Sequence, residues 1–270
     1  MTTAKRRFGQ NFLVDRNVVD RIVAAVAPRS DETIVEIGSG QGALTARLLE
    51  ATGRVVAIEF DRELVPFLRT KFARVANLYL LEADALTTDF RKAIAPAPRA
   101  RVVANLPYNI ATAILQRLID QRECLSEMVL MLQREVVDRI TAEPGSSDRG
   151  YLSVLVEAYC QAEKLFDVPP QAFRPVPKVW STVVRLRVRP KIAAEVKDEA
   201  LLWQIVSAGF AQRRKTILNN LRDAPESIQE LLKKRGGASI VLCDAGIPPL
   251  RRAETFALEE WAMLVNAIAL

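Results

Sequence analysis

Four short stretches carry the residue types from which a reacting site is built: Gly38, Gly40 and Gly42 in VEIGSGQGALT, Glu59 in VVAIEFD, Asp84 in LLEADAL, and Asn105-Leu106-Pro107-Tyr108 in RVVANLPYN. Glycines between a β-branched run and an amphipathic stretch let the backbone approach a ligand and aim helix amides at it. With Ala43 in the last place the segment also fits GxGxxG/A, so the glycines alone do not separate a nicotinamide dinucleotide from S-adenosylmethionine. Glu59 stands about 20 residues further on, where a carboxylate accepts both hydroxyl protons of a ribose diol; a helix-terminal charge would occupy the same place. Asp84 suits a hydrogen bond from an adenine 6-amino group, and equally a helix cap.

In the fourth stretch an apolar run stops on an amide, a proline and an aromatic ring. Read alone, Pro107 ends a strand and Asn105 caps the next element. Held at the same rim as the other three, the Asn105 amide oxygen and the Leu106 carbonyl are two acceptors for one exocyclic NH2, with the Tyr108 ring beside them. The amine of adenine is a poor nucleophile because its lone pair is delocalised into the ring. Accepting both of its protons favours a pyramidal nitrogen with the lone pair turned toward an electrophile, which is work done by orientation and not by a base.

Composition agrees with chemistry of that kind. The 270 residues include no histidine, which excludes Ser-His-Asp hydrolysis, HExxH zinc chemistry and imidazole proton shuttles. Cys124, Cys160 and Cys243 form no CxxC pair, so no metal site is expected and reduced thiols in a cytosol fit best. Lys plus Arg outnumber Asp plus Glu by 38 to 32, which favours an acidic partner, nucleic acid first. The basic start Lys5-Arg6-Arg7 lacks the apolar core of a signal peptide and no run reaches membrane-span length, so a soluble intracellular protein is expected.

The reactive positions need a scaffold that brings them to one edge. From residue 33, apolar runs at 33–37, 55–58, 78–81, 102–104 and 128–132 alternate with helical stretches at 42–51, 61–72 and 110–120, which predicts an α/β fold with a parallel sheet covered on both faces. In such a sheet Gly38, Glu59, Asp84 and Asn105 all fall beyond the carboxyl ends of their strands, where ligands bind. A further helix is expected from residue 15 to Val26, and another over 152–159. The prolines at 169, 170, 175 and 177 predict a long extended loop. Residues 181–188 read as a strand with Arg185 and Arg187 on one face, Arg189 next in step, and Val184, Leu186 and Val188 on the other. Beyond Arg189-Pro190-Lys191 the patterns turn helical, at 201–210, 215–221, 228–234 and 254–269. The expected division is an α/β domain over 1–189, headed by an N-terminal segment over 1–14, and a small helical domain over 190–270.

The segments KRRFGQNFLVDRNVVDRIV, VEIGSGQGALT, VVAIEFDREL, EADAL, VVANLPYNIAT, PPQAFRPVPKVWSTVVRL and FAQRRKTILNNL run nearly the length of the chain. In them the sequence resembles the ribosomal RNA adenine dimethyltransferases, specifically the bacterial small-subunit type. That resemblance implies a Rossmann-like class I methyltransferase fold, with a seven-stranded, mostly parallel sheet and a C-terminal helical domain that recognises RNA. It implies S-adenosylmethionine as donor and S-adenosylhomocysteine as product. Asn11 and Leu13 would close over the donor, Gly38 and Gly40 lie against it, Glu59 hold its ribose, Asp84 its adenine, and Asn105 stand near the methylsulfonium. Asn105 and the Leu106 carbonyl would hold the target amine, Pro107 set the bend, and Tyr108 and Phe173 stack on the target base. The implied reaction dimethylates the 6-amino groups of two adjacent adenosines in the 3′-terminal hairpin of 16S rRNA, within the immature small ribosomal subunit. The implied protein is a cytoplasmic monomer with no membrane partner. One position departs from the family: Ser39 stands where proline is common between the first two loop glycines, and a slightly looser turn is expected.

Lys5-Arg6-Arg7, the Arg185/Arg187/Arg189 face, Arg213-Arg214-Lys215 and Arg251-Arg252 are then candidates for RNA phosphates, although a solvated face explains any single arginine. Rival readings are methylation of large-subunit RNA, a binding protein that kept the fold, and a nicotinamide dehydrogenase. The PPQAFRPVPKVWS and FAQRRKT segments oppose the first, intact Gly38, Glu59, Asp84 and NLPY the second, and a strand-end NLPY without histidine the third.

Overall fold

The structure, a computed structural model, describes residues 9–269. Lys5-Arg6-Arg7 lie outside the described residues. The chain forms two compact units, the first from residues up to 137 and 161–188, the second from 138–160 and 189 onward.

In the first unit β1 (Phe12–Leu13) leads into α1 (Arg16–Val26), and strands then alternate with helices through β2 (Thr33–Ile37), α2 (Ala43–Ala51), β3 (Arg54–Glu59) and α3 (Leu64–Lys71). The alternation continues through β4 (Leu78–Glu82), α4 (Phe90–Ile94), β5 (Ala100–Asn105), α5 (Ala111–Asp120) and β6 (Leu125–Gln133). After α6 (Arg134–Ile140) the chain leaves this unit and returns for β7 (Cys160–Val168), β8 (Phe173–Arg174) and β9 (Ser181–Val188). The expected strands all form, because runs such as TIVEI are β-branched and bury every residue between two helical layers. Helix α1 starts where Asp15 caps it, its carboxylate accepting from the amides of Asn17 and Val18, and it buries Val18, Val19, Ile22 and Val26 along one face.

Seven strands form one sheet in the order β4-β3-β2-β5-β6-β9-β7. Strands β2 to β6 pair in parallel and β9 runs antiparallel to β6. From β2 the order runs one way to β3 and β4 and the other way to β5 and β6, and this switch opens a crevice at the carboxyl ends. Register levels those ends, with Ile37 opposite both Ile58 and Ala104, and Glu59 opposite Glu82.

One strand went unread and one expectation needs correction. The residues before the prolines form β7, which periodicity hid because CQAEKLFDV does not alternate cleanly. The proline-rich stretch is not one extended loop, since β8 within it pairs antiparallel with β1, Phe12 opposite Arg174 and Leu13 opposite Phe173. The arginine face of β9 is already matched in charge: Arg185 and Arg187 both pair with Glu127 and Glu163, and Arg185 also donates to the Ala25 carbonyl. Those guanidiniums brace the sheet, Arg187 while 47% exposed.

The second unit is helical, with α7 (Tyr151–Tyr159), α8 (Glu199–Gly209), α9 (Ile217–Arg222), α10 (Glu226–Lys234), α11 (Ala238–Asp244) and α12 (Leu258–Ala269). It takes in residues 138–160, which the expected boundary at 189 had left with the sheet, because α7 packs on α8 and α12. Trp261 is fully buried between Phe210 and Phe256. Asn220 donates to the carbonyls of Gly209 and Gln212, pinning the turn that carries exposed Arg213 and Arg214. Of the other expected phosphate contacts, Lys215 pairs with Asp223, and Arg251 pairs with Glu260 over the Phe256 ring, whereas Arg252 is exposed.

Arg149 is 1% exposed and bonds the carbonyls of Ala142 and Phe256 and the carboxylate of Glu157. Removing a buried, fully bonded cation leaves its acceptors unpaired, so Arg149→Ala is expected to destabilise this unit by about 3–5 kcal/mol. Urea unfolding followed by the fluorescence of Trp203 and Trp261 measures it, and a midpoint equal to wild type would contradict that role.

Candidate functional site

In the first unit a cavity of about 250 Å³ opens beyond β2, β3, β4 and β5, walled by residues around Asn11, Gly38, Glu59, Asp84 and Asn105. Strand ends leave backbone groups that the ladder does not satisfy, and here they tie one strand to the next. The Gly38 amide donates to the Ile58 carbonyl at 2.8 Å, Ala83 to Glu59 at 3.1 Å, and Leu106 to Met131 at 3.2 Å. The rim is therefore rigid before any ligand arrives.

The glycine turn needs its glycines. Gly40 has φ 55°, and a Cβ there would stand 3.1 Å from the Phe12 ring; at Gly42, φ 77°, it would stand 2.8 Å from the ring of Phe72. Glu59 joins this turn to the end of β3, Oε2 accepting from Gly40 N at 2.8 Å and Oε1 from Asp61 N at 2.9 Å. Each carboxylate oxygen has a second lone pair, so those bonds orient the group and still allow it to accept from a diol. Asp84 is fixed by the Leu86 amide, 2.9 Å from Oδ1, so it serves as a local cap and stands on the cavity wall at once.

Beneath the turn lies a second carboxyl, Glu36, 2% exposed, which accepts from the hydroxyls of Ser39 at 3.1 Å and Thr45 at 2.6 Å. Ser39 thus supplies a bond that proline lacks. Burial pushes the Glu36 carboxyl up to about 7 against its two hydroxyl bonds, with Glu59 adding like-charge repulsion. Burial raises the Glu59 carboxyl too, opposed by its backbone amides.

The segment before β1 closes one side of the cavity. Gln10 donates to Asp61 Oδ2 at 2.9 Å, Gly9 packs against the Asn109 side chain, and the Asn11 carbonyl accepts from Asn105 Nδ2 at 3.0 Å. Of the expected residues, Asn11, Gly38, Gly40, Glu59, Asp84, Asn105, Leu106, Pro107 and Tyr108 come together on this wall. Leu13 and Phe173 do not: paired across β1 and β8, they lie in the hydrophobic core, and Phe173 is 0% exposed. Sequence reading missed Gln10 and Asp61, partners 51 residues apart, and Phe60, which lines the cavity while 56% exposed. Adjacency to Glu59 was the one signal that pointed to Phe60.

Below the ordinary carboxylate range both folded and unfolded chains keep the Glu36 proton. From 4.5 up to about 7 only unfolding releases it, so wild-type stability falls as pH rises, by about 3 kcal/mol in all. Glu36→Gln keeps an acceptor for both hydroxyls and has no proton to lose. Its urea midpoint is expected to exceed that of wild type at pH 8, the gap closing toward pH 5; a gap independent of pH would contradict the buried acid.

Comparison with known proteins places this geometry. Residues 1–262 match the family described as ribosomal RNA adenine dimethylase. The ribosomal RNA small subunit methyltransferase A of Hahella chejuensis is 48% identical over 219 residues, 81% of this chain and 80% of the relative. That of Chromohalobacter salexigens is 44% identical over 98% of this chain and 92% of its own. Among solved structures, a dimethyladenosine transferase from Plasmodium falciparum shares the fold at TM-score 0.77 with 23% identity, covering 94% of this chain and 95% of its own. The 23S rRNA methyltransferase ErmE has a TM-score of 0.71 at 26% identity, over 96% of this chain and all of its own.

Proposed function

The chain belongs to the ribosomal RNA adenine dimethylase family, and we propose that its site dimethylates the 6-amino groups of adenines in small-subunit ribosomal RNA with S-adenosylmethionine as donor. The targets are two adjacent adenosines near the 3′ end of 16S rRNA, within the immature subunit. The protein acts as a cytoplasmic monomer.

When bound, the donor supplies an electrophilic methyl carbon on a sulfonium. The residues on the cavity wall fit such a molecule: Glu59 for the ribose hydroxyls, Asp84 for the adenine amine, the exposed Phe60 ring for the adenine face, and Gly40, where a side chain would run into the Phe12 ring on the same wall. What remains for the chain is to aim the target nitrogen. The observation that carries this reading is the state of Asn105. Nδ2 donates to the Asn11 carbonyl and Asn105 stands on the cavity wall, so its amide oxygen is available there as an acceptor. In the first transfer Asn105 Oδ1 and the Leu106 carbonyl accept hydrogen bonds from the two amine N–H groups and direct the lone pair. As the nitrogen gains the methyl the carbon–sulfur bond breaks to leave S-adenosylhomocysteine, and the nitrogen sheds a proton to solvent. The one remaining N–H holds the amine for the second transfer, with Tyr108 supporting the base. Stacking of that kind is worth about 1–3 kcal/mol. The helical unit, through exposed Arg213, Arg214 and Arg252, meets RNA phosphates.

Purified protein is expected to transfer labelled methyl groups from S-adenosylmethionine to small subunits isolated without these modifications. Transfer confined to large-subunit RNA would overturn the substrate, and no transfer to either would favour a binding role. Asn105→Ala is expected to lose at least about a hundredfold in turnover, the scale of one preorganised polar contact, while donor affinity changes far less. Near-normal turnover in that variant would remove the orientation mechanism.

A further inference from the structure

Resting on that reading, we infer that Ser181 is the positioning residue for Tyr108, fixing the plane of the ring on which the target base stacks. The Tyr108 hydroxyl lies 2.6 Å from Ser181 Oγ. Ser181 is 0% exposed and is the first residue of β9, opposite Gln133 at the end of β6. Its neighbour is fixed as well, since the Trp180 carbonyl accepts from the Arg134 amide at 3.0 Å.

The same pair of strands holds the other end of the turn, because Leu106 N donates to Met131 O and Met131 faces Val183 of β9. The NLPY turn is thereby clamped twice on one rigid support, by backbone at Leu106 and by side chain at Tyr108, with Pro107 stiffening the link. A tyrosine ring has two free torsions. The backbone clamp fixes where the side chain starts and the hydroxyl clamp fixes where it ends, so the ring presents one face to the cavity before substrate arrives. Burial raises the Tyr108 hydroxyl pKa, so it stays neutral, and either hydroxyl can donate in the bond.

The test compares the full-length wild type, Ser181→Ala, Tyr108→Phe, their double variant and Tyr108→Ala, on under-methylated small subunits. Ser181→Ala and Tyr108→Phe are each expected to lower kcat about tenfold, the scale of one buried hydrogen bond. The double variant should fall no further, with the KM for subunits, donor affinity and unfolding midpoint near wild type. If Ser181→Ala fails to fold, Tyr108→Phe, which keeps the ring and removes only the hydroxyl, carries the test. Wild-type kcat in the single variants, additive losses in the double, or a loss that follows the unfolding midpoint would overturn the role of Ser181. An inactive wild type would instead overturn the underlying function, whereas an active wild type with a dead Tyr108→Ala and unaffected Ser181→Ala would overturn this inference alone.

Discussion

A parallel sheet cannot satisfy the backbone groups at the ends of its own strands, and everything at this site depends on where those groups go. The ladder stops at Ile37, Glu59, Glu82 and Asn105, one level across four strands. The residue after three of those ends donates to the strand beside it, Gly38 to Ile58, Ala83 to Glu59 and Leu106 to Met131. Glu59 extends the pattern to its side chain by accepting from the glycine turn. The bonds that complete the backbone are the ones that aim the side chains, so fold and site share one set of interactions.

That economy carries a cost in charge. Two carboxyls, Glu36 and Glu59, are buried next to the same turn, and burial raises both. Hydroxyls and amides offset the desolvation without cancelling it. A site tuned for stability alone would place apolar residues there. Retaining two acids beneath and beside a tight glycine turn makes sense where a polar ligand is to be held in fixed orientation.

Much of this was legible in the residues. The strands read correctly because buried β-branched runs admit few alternatives, and the rim positions followed from strand ends in a parallel sheet. What escaped was long-range or short-period. Strand β7 lacks alternation, and β8 is two residues long with meaning only through β1. Arg185 and Arg187 looked free because their acidic partners, Glu127 and Glu163, lie on two other strands. Phe173 was named only through the family resemblance, and its place in the core follows from its pairing with Leu13, which no local pattern shows. Ser39 read as a missing proline until the fold put Glu36 beneath it.

Orientation in place of a base is the central claim, and a chain without histidine gives it a sharp consequence. The amine proton is held by a neutral amide and a peptide carbonyl, neither of which titrates near neutrality. The measurement that bears on this most directly is the single-turnover rate of methyl transfer as a function of pH, with donor and subunits saturating. Orientation predicts a rate that is flat from about pH 7.5 to 9.5, above the Glu36 carboxyl and below tyrosine. A rate rising tenfold per pH unit across that window would reveal a group that must lose a proton before the nitrogen can react, and would contradict it.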